Sequence, residues 1–287
     1  MAKIFSISNQ KGGVGKTTTA VTLSTIISMK NIKTLLIDFD PQGNSTSGFG
    51  IDRNSLNSSV YECIIDKKDV TQSIIGTGID NLSILPSNAH LAAAEIELID
   101  TNEREFRLKR MVEKIEKNFD VVIIDCPPSL GLLTINGLVA SKHLIIPLQC
   151  EYYALEGLGQ LISTFELVRE KLNPEIEIGG VLLTMADFRT NLTQQVIEEV
   201  RNYFSEKVFK TIIPRSVKIS EAPSFGKPIV LYDPTSKGAK AYQDVAVELI
   251  ARFQLGVSRS DVQSEPEKSV ASEENPVVEI SETSEAN

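Results

Sequence analysis

The chain has 287 residues, of which 41% are hydrophobic and 23% charged, and its net charge is −9. That is the composition of a soluble globule with room for one large α/β domain or two small ones. No apolar run approaches the ~18–20 residues needed to cross a bilayer, and no apolar leader follows the first lysine, so a cytoplasmic protein is expected. Cys63, Cys126 and Cys150 form no C-x-x-C pair, which fits neither a zinc site nor a disulfide framework. Cys126 and Cys150 adjoin apolar runs and read as small core residues. His90 and His143 have no partner ligands close by in sequence.

The charge is uneven. Residues 257–287 hold eight acids and two bases, which leaves only −3 of the total for residues 1–256. Screening acts over about 8 Å at physiological salt, so local patches matter more than the total. A negative chain of this kind can still meet nucleic acid.

In chain order, Ile4-Phe5-Ser6-Ile7 reads as a short strand, and residues 18–29 read as a helix. Between them lies Lys11-Gly12-Gly13-Val14-Gly15-Lys16-Thr17-Thr18. A glycine-rich turn between strand and helix is the pattern of a phosphate-binding loop. Glycines let backbone N–H groups approach phosphate oxygens, and the helix N-terminus adds unpaired donors. Lys16 is placed to reach the β- and γ-phosphates, and the Thr17 hydroxyl to ligate Mg²⁺.

Residues 33–38 form an apolar strand that ends in Asp38-Phe39-Asp40-Pro41-Gln42-Gly43-Asn44. Loops at the carboxyl ends of such strands bind ligands in open α/β sheets. If this strand neighbours the first, both carboxylates lie near the γ-phosphate, and one can orient the attacking water. Residues 48–78 give only a short helix near 60–65. A strand is expected at 82–86, and helices at 91–98 and 103–117.

Residues 120–125 form another apolar strand, closed by Cys126-Pro127-Pro128, with Asp125 where a Walker B carboxylate would hold Mg²⁺. Ser129 is expected to cap a helix that runs to Ala140. A strand at 144–148, a long helix at 155–172 and a strand at 180–184 follow. The helix at 192–204 should bury Leu192, Val196, Val200 and Phe204, a core strand is expected at 208–213, and a closing helix at 239–253. This alternation predicts a mostly parallel twisted sheet with helices on both faces, as in P-loop NTPases. From about residue 257 the chain is rich in Ser, Glu and Pro, and a disordered acidic tail is expected after a 1–256 ATPase domain.

The loop departs from the usual G-x-x-x-x-G-K-[ST] pattern, because Gln10 takes the first glycine's place and Lys11 is a second lysine. This form resembles the deviant Walker A motif of the ParA/MinD group of ATPases. The segment 36–44 resembles their switch I element. Asp125-Cys126-Pro127-Pro128-Ser129 and the run 213–228, which begins Ile213-Pro214-Arg215-Ser216, are similar to those of small ParA proteins of the Soj type. The resemblance spans residues 1–253.

The resemblance implies that Lys11 crosses a two-fold interface to the partner's phosphates, so that two ATP molecules are sandwiched between two chains. It implies that Asp40 positions the water, that Asp38 supports the Mg²⁺ site, and that Pro214 and Arg215 help to hold the nucleotide. It further implies binding of DNA without sequence preference, at Arg189, Arg215 and Lys218, with Lys227, Lys237 and Lys240 as further candidates. A ParB-like partner would stimulate a slow hydrolysis.

Four readings compete. The first is a partition ATPase that cycles on and off DNA. The second is a MinD-like, membrane-recruited regulator of cell division, which needs a basic amphipathic C-terminal helix. The acidic tail with Pro266 and Pro276 argues against that and against stable membrane association. The third is a scaffold that uses ATP only to dimerise, which Asp40 and Asp125 disfavour. The fourth is an iron–sulfur reductase, for which Cys126 beside the Walker B acid is misplaced.

Overall fold

The computed structural model describes residues 1–151 and 154–256, with the backbone alone for 154–157. The expected tail at 257–287 lies outside the described residues. Seven strands form one sheet in the order β3-β4-β2-β5-β1-β6-β7. They are β1 (Lys3–Ile7), β2 (Thr34–Asp38), β3 (Ile75–Gly76), β4 (Leu82–Leu85), β5 (Val121–Asp125), β6 (His143–Gln149) and β7 (Glu177–Thr184). All pairings are parallel except β3 with β4.

Helix α1 (Lys16–Ser28) follows β1, and the single-turn α2 (Asn44–Ser47) follows β2. Next come α3 (Val60–Ile64), α4 (Leu91–Glu97), α5 (Arg107–Ile115), α6 (Leu132–Ala140), α7 (Ala154–Lys171) and α8 (Asn191–Phe204). The chain closes with α9 (Val217–Glu221), α10 (Ile229–Tyr232) and α11 (Lys237–Phe253).

Side chains alternate between faces along a strand, and the core divides accordingly. Leu36 and Ile123 face α1 and α11 on one side. Leu35, Ile37, Val122 and Ile124 face α3, α4 and α5 on the other. Farther along that second side, α7 and α8 cover Leu144, Ile146, Val181 and Leu183. Both faces are buried, which is why these strands read as near-continuous apolar runs. The chain moves from β1 one way to β2 and later crosses β1 to reach β6. This reversal puts a crevice at the carboxyl end of β1, the place where open α/β sheets bind ligands.

Four local expectations are corrected. First, β2 does not neighbour β1, because β5 lies between them. Second, Ser129 does not cap α6. Gly131 precedes that helix, and the Ser129 carbonyl accepts from Thr134 Oγ1 instead.

Third, Leu192 is 39% exposed. Thr190 caps α8 with its side chain, and this sets the inward stripe as Thr193, Val196, Ile197, Val200 and Phe204, about 100° away from Leu192. Fourth, residues 208–213 form no ladder and hold one isolated bridge to β7, at Val208, with a second just past them at Pro214. The N–H groups of Lys210 and Thr211 are taken by the Glu248 carboxylate of α11, so the ladder cannot continue.

Candidate active site

Two left-handed glycines shape the loop after β1, Gly13 with φ 74° and Gly15 with φ 91°. A side chain would be strained there. Gly15 also precedes α1, and no side chain caps that helix end, so its first amides are free for an anion. The loop is pinned from both sides. Asn9 Nδ2 donates to the Pro147 carbonyl at 2.7 Å, and Asn9 Oδ1 accepts from the Lys11 N–H at 3.0 Å. Thr184 Oγ1 donates to the Val14 carbonyl at 2.9 Å. Residues of β6 and β7 therefore hold a loop that β1 begins.

Lys16 is buried, and its ammonium donates to the Lys11 carbonyl at 2.9 Å, closing the loop on itself. Burial lowers its pKa, while Asp125 and Asp40 oppose that shift. Lys11 points elsewhere. Its ammonium donates to Glu151 Oε2 at 2.7 Å, just past the end of β6. Gly12 is exposed beside it.

Three carboxylates gather beside the loop. Asp38 and Asp125 stand in register on adjacent strands and are fully buried. Asp38 Oδ2 accepts from the Thr46 N–H at 2.7 Å and from its hydroxyl at 2.6 Å, and its pKa is raised to about 6, chiefly by burial. Asp125 Oδ2 accepts from Ser45 Oγ at 2.8 Å. Burial first, and then the charge of Asp38, raise its pKa to about 8, against the hydroxyls of Ser45 and Thr17.

Asp125 Oδ1 is buried with no hydrogen-bond partner, an acceptor that a hydrated cation would satisfy. Among the described residues no three His, Cys, Asp or Glu side chains cluster to hold a metal by themselves. A cation here would need Thr17, water and phosphate oxygens as well. Asp40 is 5% exposed, accepts from the Gln42 N–H at 2.8 Å, and has its pKa raised by burial.

Ser45 and Thr46 hold two of these acids and were missed by the sequence reading, as was Glu151. Their signal is weak, since Asn44-Ser45-Thr46-Ser47 carries no apolar periodicity. What places them is Gly43, at φ 61°, where a Cβ would lie 3.0 Å from the Ser87 carbonyl oxygen. Thr17 and Thr18 line a cavity of about 500 Å³ with Asn44, Arg53, Pro223 and Lys227.

The candidate DNA residues divide. Arg189, Arg215, Lys237 and Lys240 line one open groove of about 820 Å³, with Pro214 on its wall. Pro214 and Arg215 thus sit in this groove and do not line the cavity beside Thr17. Arg189 is bound to Asp187 at 2.6 Å, which pushes the Asp187 carboxyl down to about 2. Lys218 lies outside the groove, paired with Glu221 at 2.9 Å, and Lys227 belongs to the cavity beside the phosphate loop.

A family model described as an AAA domain matches residues 2–178. The chain is 57% identical over 251 residues to the sporulation initiation inhibitor protein Soj of Bacillus subtilis, covering 88% of this chain and 99% of that one. It is 48% identical over 252 residues to the chromosome partitioning protein ParA of Myxococcus xanthus, covering 88% and 89%. A crystal structure of cobyrinic acid a,c-diamide synthase from Mycobacterium smegmatis with bound ADP and magnesium superposes with TM-score 0.78 at 36% identity, over 90% of this chain and 97% of that one. With the loop, the buried acids and these relatives together, the chain belongs to the ParA/Soj-type partition ATPases of the deviant Walker A P-loop group.

Proposed function

We propose that this protein is an ATP-dependent DNA-partitioning ATPase whose ATP-sandwich dimer binds DNA without sequence preference. Hydrolysis of ATP to ADP and phosphate, slow by itself and stimulated by a ParB-like partner, releases it. The observation that carries this reading is Lys11. Its ammonium is directed out of its own loop toward Glu151 while Lys16 fills the cradle. A second loop lysine that served only its own nucleotide would duplicate Lys16. One that leaves the loop is free to reach a partner's phosphates, as an arginine finger does.

In this reading the backbone of residues 11–18 wraps the phosphates, and Lys16 exchanges the Lys11 carbonyl for phosphate oxygens. Thr17 and Asp125 would hold Mg²⁺, with Ser45 bonded to Asp125 and Asp38 fixing the neighbouring Thr46. Mg²⁺, when bound, neutralises charge on the β- and γ-phosphates. The relative from Mycobacterium smegmatis was crystallised with ADP or an ATP analogue together with magnesium, which supports ATP and Mg²⁺ as the cofactors here. Asp40 orients the water. Pro214 and Arg215 are further nucleotide contacts in this reading, which requires the groove they line to meet the nucleotide.

Arg189, Arg215 and Lys218 contact DNA phosphates, which require positive charge and no base reading. ATP selects the dimer, and the dimer doubles the number of contacts, so nucleotide state controls DNA affinity. Among the described residues no helix is long and apolar enough to cross a membrane. We place the protein in the cytoplasm, on the nucleoid when ATP is bound, with residues 1–256 as the ATPase domain and 257–287 as an appended tail. The test is retention on nonspecific DNA with ATP, with ADP and without nucleotide, at two salt concentrations. ATP-dependent, salt-sensitive retention is expected, and equal retention in all three states would overturn the reading.

A further inference from the structure

On the face of the sheet opposite α1, between α3 and α5, lies a cavity of about 250 Å³ that the ATPase reading does not use. Its floor is apolar and buried, made by Cys63, Ile64, Val70 and Met111. Its rim is cationic, made by Lys67, Lys68, Arg107, Arg110 and Lys114. The spacing explains the convergence. Arg107, Arg110 and Lys114 follow i, i+3, i+7 on α5 and form one stripe, and the turn after α3 brings Lys67 and Lys68 against it.

Most of this charge is unpaired. Arg110 is bound to Glu103, but among the described residues the other four make no ion pair. Lys68 reaches only the Asn57 carbonyl, at 3.5 Å. Asp69, an acid that feels the charge of Lys114, already accepts from the Thr71 N–H at 3.0 Å and from the Thr71 hydroxyl at 2.9 Å. Arg107 supplies the second, independent sign. Its Nε is buried without any hydrogen-bond partner. A buried donor left unpaired is costly, and like charges converging on one concavity repel unless an anion joins them.

We propose that this cavity is a second anion site, for a compact phosphate-bearing small molecule of about pyrophosphate size, with the Arg107 guanidinium and Lys114 as its principal donors. The size decides against a full nucleotide, since pockets for larger ligands run to ~300–1,000 Å³. The shape decides against a nucleic-acid backbone. The cations ring a small hollow with an apolar floor, where a DNA-binding face would spread them along an extended track.

The test is calorimetric titration of the full chain with inorganic pyrophosphate. A Lys16→Ala background separates this site from the phosphate loop. One pyrophosphate per chain should bind there, and adding Arg107→Gln with Lys114→Gln should weaken it at least tenfold. With Lys16 intact, the same pair should leave ATP affinity unchanged. If the pair also lost ATP binding, Lys67→Gln with Lys68→Gln, on the exposed turn, would replace it, and at least a threefold weakening is required. Absence of binding in the Lys16→Ala chain would overturn the proposal, as would binding that neither pair of changes alters. Loss of duplex-DNA retention by the Arg107/Lys114 pair, with no pyrophosphate bound, would overturn it in favour of a nucleic-acid contact.

Discussion

Lys11 and Glu151 are 140 residues apart in the chain, and their side chains meet at 2.7 Å. Both are about half exposed, at 40% and 48%. An ion pair in that setting is worth about 0–1 kcal/mol, enough to park the lysine and too little to trap it. Glu151→Gln should therefore change unfolding free energy by less than ~1 kcal/mol in urea titration. Lys11→Ala should leave ATP affinity within about threefold, under 1 kcal/mol, yet abolish the dimer formed with a non-hydrolysable analogue. Light scattering reads this directly, and a persistent dimer would remove the cross-subunit role.

Lys16→Ala should abolish measurable ATP binding. Its ammonium is the one cation closed within the loop, bonded to the Lys11 carbonyl at 2.9 Å. Equilibrium dialysis that found ordinary affinity would argue that the loop is structural only.

Asp40→Ala should bind ATP and dimerise but lose hydrolysis by at least ~100-fold, the scale of a lost general base or water-orienting group. The carboxylate accepts from the Gln42 N–H, so its removal leaves that one donor without this partner. Phosphate release measured alongside the dimer fraction separates lost chemistry from lost assembly.

The buried acids make stability depend on pH and Mg²⁺. An unfolded aspartate has lost its proton by about pH 5, whereas folded Asp38 keeps its proton to about 6 and folded Asp125 to about 8. The folded chain then binds more protons than the unfolded one, so stability falls as pH rises through this window. Each proton contributes at most about 1.4 kcal/mol per pH unit. Without Mg²⁺, Tm should drop between pH 5 and 8, and Asp125→Asn should flatten most of that slope. Mg²⁺ with ATP should restore Tm most at pH 8, where it no longer competes with a proton.

Arg189→Glu should weaken retention on DNA and lower the salt slope, with basal ATPase intact. The mechanism is loss of a phosphate contact, each of which adds about 0.9 to the slope of log K against log salt. Retention unchanged at two salt concentrations would discard this residue as a contact.

Strands β1, β2, β5, β6 and β7 were legible because each is an apolar run buried on both faces and stopped by a polar or proline-rich turn. The phosphate loop was legible because its glycines, lysines and threonines are contiguous, and Asp38, Asp40 and Asp125 because each ends or follows such a strand. Local chemistry carries all of this. Strand 208–213 was misread because an apolar run cannot reveal that Glu248, some 37 residues away, claims its N–H groups.

Sequence by itself determined that this chain builds a phosphate loop, ends its strands in carboxylates and belongs among P-loop folds. The tertiary structure alone decided that β5 lies between β1 and β2, which sets Asp38 beside Asp125 and buries both, and that burial raises both pKa values. It alone decided that Glu151 receives Lys11, that Ser45 and Thr46 hold the acids, and that four of the six candidate DNA cations share one groove. The physical reason is one of range. Backbone conformation and burial period are written within a few neighbouring residues, whereas strand order and charge pairing are settled only when distant segments compete for the same buried space.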